Sequence, residues 1–235
     1  HQGMIVEAFH ARIDAKDKRE IIEAFVAGSI SIICATNAFG MGIDKENIRL
    51  VLHYNMPGSL ENYIQEAREK VNALAASDVD WHFIGHLQSN KAKYAVRLFD
   101  LIHSVDSLRL AKELDKYAKK NDKIQPILIQ VNVAKEDSKS GVYVEDTVPL
   151  LREASRLENI SVKGLMTMPP YFNAPEKVRP FFAALRELRD QIKKEAIPNI
   201  SMDELSMGMT GDFEAAIEEG ATMVRIGTAI FGDRG

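Results

Sequence analysis

The chain has little of the chemistry that marks a secreted or membrane-bound protein. Its 235 residues contain one cysteine, Cys34, and one tryptophan. A single cysteine excludes an internal disulfide, which fits a reducing compartment. No apolar run approaches the roughly 18 residues that a membrane span needs, and no signal-peptide pattern opens the sequence. We therefore expect a cytoplasmic protein without a membrane partner.

The charge balance argues against nucleic acid as a partner. Thirty basic residues face 34 acidic ones, for a formal net charge of −4. Non-specific binding to nucleic acid needs a basic face that displaces counterions from the phosphates. A hydrophobic content of 46% favours a packed interior. The length suits one α/β barrel or two small domains.

Short apolar runs alternate with longer amphipathic stretches, which predicts a parallel sheet with helical crossovers. The predicted strands are Met4–His10, Ser31–Thr36, Arg49–Tyr54, Trp81–Gly85, Leu101–Ser104, Pro126–Val133, Ser161–Met166, Glu204–Met207 and Met223–Gly227. The predicted helices are Ala15–Ala27, Leu60–Leu74, Lys91–Phe99, Ser107–Lys120, Val144–Arg156, Pro175–Glu195 and Gly211–Glu219. No linker rich in Pro, Gly or Ser divides this pattern, which favours a single unit.

The first part of the chain carries the string A-T-N-A-F-G-M-G-I-D-K at Ala35–Lys45, followed by His53–Pro57 and Tyr63–Glu66. With these motifs residues 1–66 resemble the second motor lobe of RecQ-type helicases. The phosphate loop and the acidic magnesium motif are absent, and Ala67–Lys70 replaces the arginine-finger motif. Phosphoryl transfer needs all of these parts together, so we expect neither ATPase nor helicase activity.

The remainder, residues 67–235, carries a different set of motifs: Trp81–Lys91, Asn132–Gly141, Gly164–Met166, Leu205–Ala216 and Met223–Gly232. This part resembles the pyridoxal phosphate (PLP) homeostasis family. The resemblance implies the barrel of the alanine racemase N-terminal domain, PLP binding and a role in regulating vitamin B6 pools. It implies no established turnover, so we do not expect an enzyme.

Two strand ends in this part form a candidate anion site. Ser206–Thr210 is predicted to end a strand, turn on glycine and open a helix, and Gly227–Thr228 ends the last strand. Backbone N–H groups at such turns bind anions, and the last loops of (βα)₈ barrels commonly hold phosphate. Alternatively, these residues merely close the barrel. The candidate ligands of phosphate, sulfate or the PLP phosphate are Ser206, Gly208, Met209, Thr210, Gly227 and Thr228.

The resemblance extends the site to the cofactor ring. It implies that Arg225 faces the pyridine nitrogen and discourages its protonation, and that Asn62 belongs to the cofactor-binding set. His82 and Met166 lie on predicted barrel strands, where inward side chains either fill the core or contact a cofactor. The histidines show no metal-ligand spacing with Asp, Glu or Cys, so no metal site is predicted.

The lysine that binds PLP covalently in this family lies on the first barrel strand, in the part of the chain that resembles the helicase. Neither Ser31–Thr36 nor Arg49–Tyr54 ends in a lysine. Lys91 and Lys139 lie on later loops, where a solvated charge is the simpler interpretation. We therefore expect no covalent cofactor.

Taken at face value, the two resemblances predict an engineered chimera. Residues 1–235 would form one composite (βα)₈ barrel, with a helicase-derived segment 1–66 and a PLP-barrel segment 67–235. Met4–His10 would be a ninth or peripheral strand, or would pair with a second copy in a homo-oligomer. Such a chain would lack native catalytic function and keep a phosphate site. The alternative is a weak non-covalent or adventitious PLP-binding protein of the homeostasis type.

Overall fold

Seven parallel strands form one sheet whose spatial order follows the chain, β1 to β7. The computed structural model describes residues 48–53 (as a strand, without side chains), 79–136, 138–170, 172 and 174–225. The strands are β1 Ile48–His53, β2 Val79–Ile84, β3 Leu101–Val105, β4 Gln125–Gln130, β5 Ile160–Met166, β6 Ile200–Met209 and β7 Met223–Arg225. The helices are α1 Ala92–Leu98, α2 Leu108–Lys120, α3 Val144–Ala154, α4 Arg179–Glu195 and α5 Phe213–Glu218, with 3₁₀ turns at Ser89–Lys91 and Pro175–Lys177.

The strands are buried because helices cover one face and the barrel interior covers the other. All five residues of β3 are buried, as expected of a strand between two packed layers. The main core lies between sheet and helices and includes Phe182 and Leu185 of α4. Ser107 starts α2 as an N-cap, and its hydroxyl accepts a hydrogen bond from the Leu110 amide at 3.4 Å.

The sheet curls, and a single side-chain contact shows it. His103 on β3 and Ser206 on β6 are joined by a hydrogen bond of 2.9 Å between Nδ1 and Oγ, although β4 and β5 lie between these strands. Adjacent strands are about 4.8 Å apart, so a flat sheet would separate β3 from β6 by about 14 Å. A second, smaller apolar cluster fills the concave side: Ile84, Leu101, Leu128, Met166 and Met223.

The described strands confirm most of the predicted alternation. The six strands from Trp81–Gly85 onward are present, and Ile48–His53 pairs in parallel with Val79–Ile84, which gives Arg49–Tyr54 its predicted place beside the third barrel strand. The predicted first strand, Ser31–Thr36, lies outside the described residues. So does Met4–His10, and with it the proposed ninth strand and the pairing of two copies.

Several predicted boundaries were wrong, and β6 begins at Ile200, four residues before the predicted Glu204. β6 continues through Gly208 to Met209, and α5 begins at Phe213, so Gly208 is the penultimate strand residue and not the turn. β4 ends at Gln130, after which Val131 forms only an isolated bridge with Val142. Apolar residues lie on both sides of Gly208 and of Gln130, so the sequence did not show where the pairing of β6 and of β4 stops.

Ion pairs hold α5 against α4 on the outside of the barrel. Arg179 contacts Glu218 at 2.6 Å, and Arg186 contacts Glu219 at 2.5 Å. Ion pairs near the protein surface typically stabilise by about 1 kcal/mol or less each. Their structural consequence is the fixed position of α5, whose start follows the carboxyl end of β6.

We expect Gly164→Ala to destabilise the fold by at least about 2 kcal/mol. A Cβ at Gly164 on β5 would overlap the backbone carbonyl oxygen of Glu204 on β6, and two paired strands cannot separate locally without losing hydrogen bonds. Urea unfolding followed by circular dichroism measures the change. Gly211→Ala is the matched control, because a Cβ there meets nothing within 4 Å. Equal stabilities of the two variants would contradict this account of β5–β6 packing.

Candidate functional site

A row of polar side chains crosses the interior of the barrel. His82 on β2, His103 on β3, Ser206 on β6 and Arg225 on β7 are all buried, with exposed fractions between 0% and 4%. Interiors of small barrels are usually filled by apolar side chains. Burying polar groups costs free energy unless each is hydrogen-bonded, so such a row needs partners and suggests a role beyond packing.

Hydrogen bonds link the four side chains into one continuous chain. Arg225 Nη1 donates to Ser206 Oγ at 2.8 Å, and Ser206 Oγ lies 2.9 Å from His103 Nδ1. His103 Nε2 lies 3.1 Å from His82 Nδ1. The second terminal nitrogen of Arg225, Nη2, donates to the Thr167 carbonyl oxygen at 2.6 Å. The guanidinium is thereby held on two sides.

Arg225 is a buried cation, and one of its three guanidinium nitrogens makes no hydrogen bond within the described part of the chain. Burial lowers the pKa of Arg225 to about 10, with the Asp212 carboxylate acting in the opposite direction, so the side chain keeps its charge at neutral pH. Its Nε–H has no hydrogen-bond partner among the described residues. A buried, unsatisfied donor on a cation is costly, and a ligand atom that accepts a hydrogen bond would relieve that cost.

His103 is held in its neutral form. Burial is the largest cause of a pKa well below its ordinary value of 6.5, and the neighbouring His82 and the Arg225 cation lower it further. A neutral imidazole has one donor and one acceptor nitrogen, which suits a place in the middle of a hydrogen-bond chain.

The segment after this row forms a tight turn at the carboxyl end of β6. Gly208 has φ +93°, and a Cβ there would lie 2.5 Å from the Ala216 Cβ, so only glycine fits without a shift. The Met209 amide donates to Asp212 Oδ1 at 2.6 Å. That amide, predicted to bind an anion, is paired with a carboxylate in this structure. Thr210 follows in the turn and is partly exposed.

The structure brings together only part of the predicted site. Ser206, Gly208, Met209, Thr210 and Arg225 lie at the carboxyl ends of β6 and β7.

The other predicted residues have various positions. His82 joins the interior polar row, whereas Met166 packs in the apolar interior cluster. Trp81, the neighbour of His82 in the chain, faces the opposite way, into the core beneath the helices. Asn62, Gly227 and Thr228 lie outside the described residues.

Sequence reasoning missed His103. Its signal was weak: a polar residue in a mostly apolar strand, two positions from Leu101 and therefore on the same face. Its partner Ser206 lies 103 residues away in sequence, and no local pattern reveals such a pair. Its role follows only from the curvature of the sheet.

Two other features of the described part of the chain do not compete with this site. Shallow depressions, one of about 220 Å³, lie near Ile197 and Ile200 at the amino end of β6. Within the described ranges no group of His, Cys, Asp or Glu could hold a metal ion. The same ranges contain no helix that is both long and apolar enough to span a membrane.

Comparison with known proteins identifies the class of this barrel. The sequence profile described as "Alanine racemase, N-terminal domain" matches residues 21–235. The "Pyridoxal phosphate homeostasis protein" of Aquifex aeolicus is 52% identical over 174 residues, covering 74% of this chain and 75% of the relative. The protein of the same name from Escherichia coli K12 is 41% identical over 181 residues, covering 74% of each.

Solved structures agree with this classification. PipY of Synechococcus elongatus PCC7942, in a structure described as having PLP bound, superposes with a TM-score of 0.68 at 30% identity. The match covers 97% of this chain and 92% of PipY. Alanine racemase of Clostridium difficile, at 16% identity and a TM-score of 0.59, shares the fold.

The chain belongs to the alanine racemase N-terminal domain family, and within it to the pyridoxal phosphate homeostasis proteins. The family profile runs continuously across residues 66 and 67, where the motifs suggested a join. None of the comparisons supports the resemblance to a helicase lobe or the interpretation as an engineered chimera. Both rest on short motifs alone, at residues 9–11 and within residues 35–66.

We expect the wild-type protein to lose stability more steeply than His103→Gln as the pH falls from about 6.5 to 5. Because the folded state holds the pKa of His103 below 6.5, the unfolded state binds more protons in this range. The contribution of neutral His103 to the free energy of unfolding is therefore complete above about pH 6.5. It declines below that pH by up to about 1.4 kcal/mol per pH unit. Denaturant unfolding at several pH values measures the slope. His86→Gln, at an exposed position, should keep the wild-type slope; a wild-type slope in His103→Gln would contradict the assignment.

Proposed function

We propose that this chain binds pyridoxal phosphate non-covalently in the mouth of its barrel, at the carboxyl ends of β6 and β7, and serves as a PLP-binding protein of the homeostasis type. The observation that carries the proposal is Arg225: a buried cation, fixed on two sides, with an unsatisfied Nε–H. The PLP-bound PipY structure supports it by similarity. Turnover forms no part of the proposal.

The Arg225 side chain suits the ring of PLP. A permanently charged guanidinium beside a pyridine nitrogen disfavours protonation of that nitrogen, because two positive charges in a buried site repel each other. An unprotonated pyridine nitrogen is a hydrogen-bond acceptor, which is what the free Nε–H needs. Arg225 would thus bind the ring and keep its pyridine nitrogen unprotonated. The carbonyl of bound PLP would then be less electrophilic than in the protonated cofactor.

The turn after β6 suits the phosphate. Glycine at position 208 lets the backbone come close to Phe213 and Ala216, which leaves the amides of the following turn near the mouth of the barrel. The Asp212 carboxylate now accepts from the Met209 amide. A phosphate would compete with this carboxylate for the amide, with Thr210 Oγ1 as a further donor. Such competition predicts modest affinity. Gly227 and Thr228 keep their place in the proposal from sequence alone.

The absence of the family lysine makes the binding non-covalent. β1 reads Ile-Arg-Leu-Val-Leu-His and is followed by Tyr54, and Ser31–Thr36 contains no lysine either. Covalent attachment requires a partly deprotonated amine placed at the cofactor carbonyl. Without it, affinity depends on the ring and phosphate contacts.

We expect PLP to bind reversibly with about one site per chain. After borohydride reduction, no single lysine should carry stoichiometric label, since none stands at the family position. Equilibrium dialysis gives the affinity, and peptide mapping by mass spectrometry gives the labelling pattern. One fully labelled lysine would overturn the non-covalent proposal. Failure of PLP to bind at millimolar concentration would overturn PLP binding itself.

We expect Thr210→Ala to weaken PLP binding by about tenfold, the usual loss for a hydrogen bond to a charged group. Pyridoxal, which lacks the phosphate, should bind both forms equally. Ser201→Ala is the matched control, because it removes a hydroxyl from the amino end of β6, far from the mouth. Equal losses for PLP and pyridoxal would show that Thr210 does not contact the phosphate.

A further inference from the structure

The buried hydrogen-bond chain has one direction, and its chemistry fixes that direction. A guanidinium only donates, so Ser206 Oγ accepts from Arg225 Nη1 across 2.8 Å. The hydroxyl has one proton to donate, and the one acceptor in reach among the described residues is His103 Nδ1 at 2.9 Å. His103 therefore carries its proton on Nε2 and donates it to His82 Nδ1 at 3.1 Å.

The opposite direction leaves a buried donor unsatisfied. If His103 Nδ1 carried the proton, Ser206 Oγ would accept from both His103 and Arg225, and its own proton would have no acceptor among the described residues. Ser206 and His103 are both fully buried, so bulk water does not reach the pair. Hydrogen bonds in a chain of one direction also polarise one another, and a cation at the donor end strengthens this effect.

The chain determines where the free donor of Arg225 points. The five N–H groups of a guanidinium lie in one plane with fixed angles. Once Nη1 is held by Ser206 and Nη2 by the Thr167 carbonyl, the direction of Nε–H follows. Ser206 Oγ can accept from Arg225 Nη1 only while its own proton points away from the guanidinium. His103 Nδ1 is the acceptor that takes this proton.

We propose that His103, supported by His82, is a positioning residue for PLP: it receives the Ser206 proton and so holds Arg225 with its Nε–H directed at the pyridine nitrogen. The inference rests on the proposed function, because it assigns the means by which that site recognises the ring. His103 touches no cofactor atom in this scheme and acts through Ser206 and Arg225.

The charges around His103 work in the same sense. The groups that face it are His82 from β2, the Ser206 hydroxyl from β6 and the Arg225 cation from β7, and Asp212 lies beyond Arg225. A second proton on His103 would turn its acceptor into a donor, oppose the Ser206 proton and add a positive charge near Arg225. The low pKa of His103 keeps the chain intact at neutral pH.

Two ligands separate positioning from general loss of structure: PLP, and its deaza analogue, in which carbon replaces the pyridine nitrogen. Wild-type protein should prefer PLP. His103→Leu should lose about tenfold in affinity for PLP and little for the deaza analogue. His103→Gln, whose amide oxygen can accept the Ser206 proton, should recover most of the loss. His86→Leu, at an exposed position, should behave as wild type.

The direction of the chain is tested without ligand. Long-range ¹H–¹⁵N spectra of the imidazole rings report which nitrogen bears the proton, and we expect His103 as the neutral Nε2–H tautomer. The Nδ1–H tautomer, or equal losses for PLP and the deaza analogue in His103→Leu, would overturn the inference. Should His103→Leu not fold, His103→Gln and the spectra decide. Wild-type protein that binds PLP without preferring it to the deaza analogue would overturn the role of Arg225 and His103 while leaving PLP binding intact.

Discussion

Burial of the Arg225 guanidinium is the constraint on which the interior of this barrel depends. A cation with almost no exposure is tolerated only where hydrogen bonds replace water. Here the Ser206 hydroxyl and the Thr167 carbonyl oxygen take that part, and they come from β6 and from the residue after β5. The charge therefore dictates polar partners on the neighbouring strands, and those partners require His103 and His82 in turn.

This arrangement divides the concave side of the sheet into two regions. Ile84, Leu101 and Met166 belong to an apolar cluster that fills the barrel as an ordinary core does. The polar row shares the same strands but ends at Arg225 Nε, which has no hydrogen-bond partner among the described residues. Since apolar side chains would fill a barrel at a lower free-energy cost, the polar row is a candidate binding site.

The family relationship and the chemistry of the candidate site support the same proposal. The relatives are pyridoxal phosphate homeostasis proteins, and the profile of the family covers residues 21–235. The described part of the chain contains the strand ends proposed to hold the ring and the phosphate. Neither Ser31–Thr36 nor Arg49–Tyr54, the segments predicted as the first two barrel strands, contains a lysine. Under the proposed function, affinity would therefore depend on the ring and phosphate contacts alone.

Much of the fold could be predicted from the sequence, because strand and helix periodicity are local properties. The alternation of apolar runs with amphipathic segments predicted the parallel sheet, and the glycines and hydroxyls around Ser206–Thr210 indicated which strand ends to consider. The tertiary structure decided the rest. Position 208 accepts only glycine without a shift because a Cβ there would meet Ala216 of α5, and the Met209 amide is paired with Asp212. The link between His103 and Ser206 exists because the sheet curls and brings β3 to face β6, and side chains 103 residues apart leave no local pattern for sequence reasoning to detect.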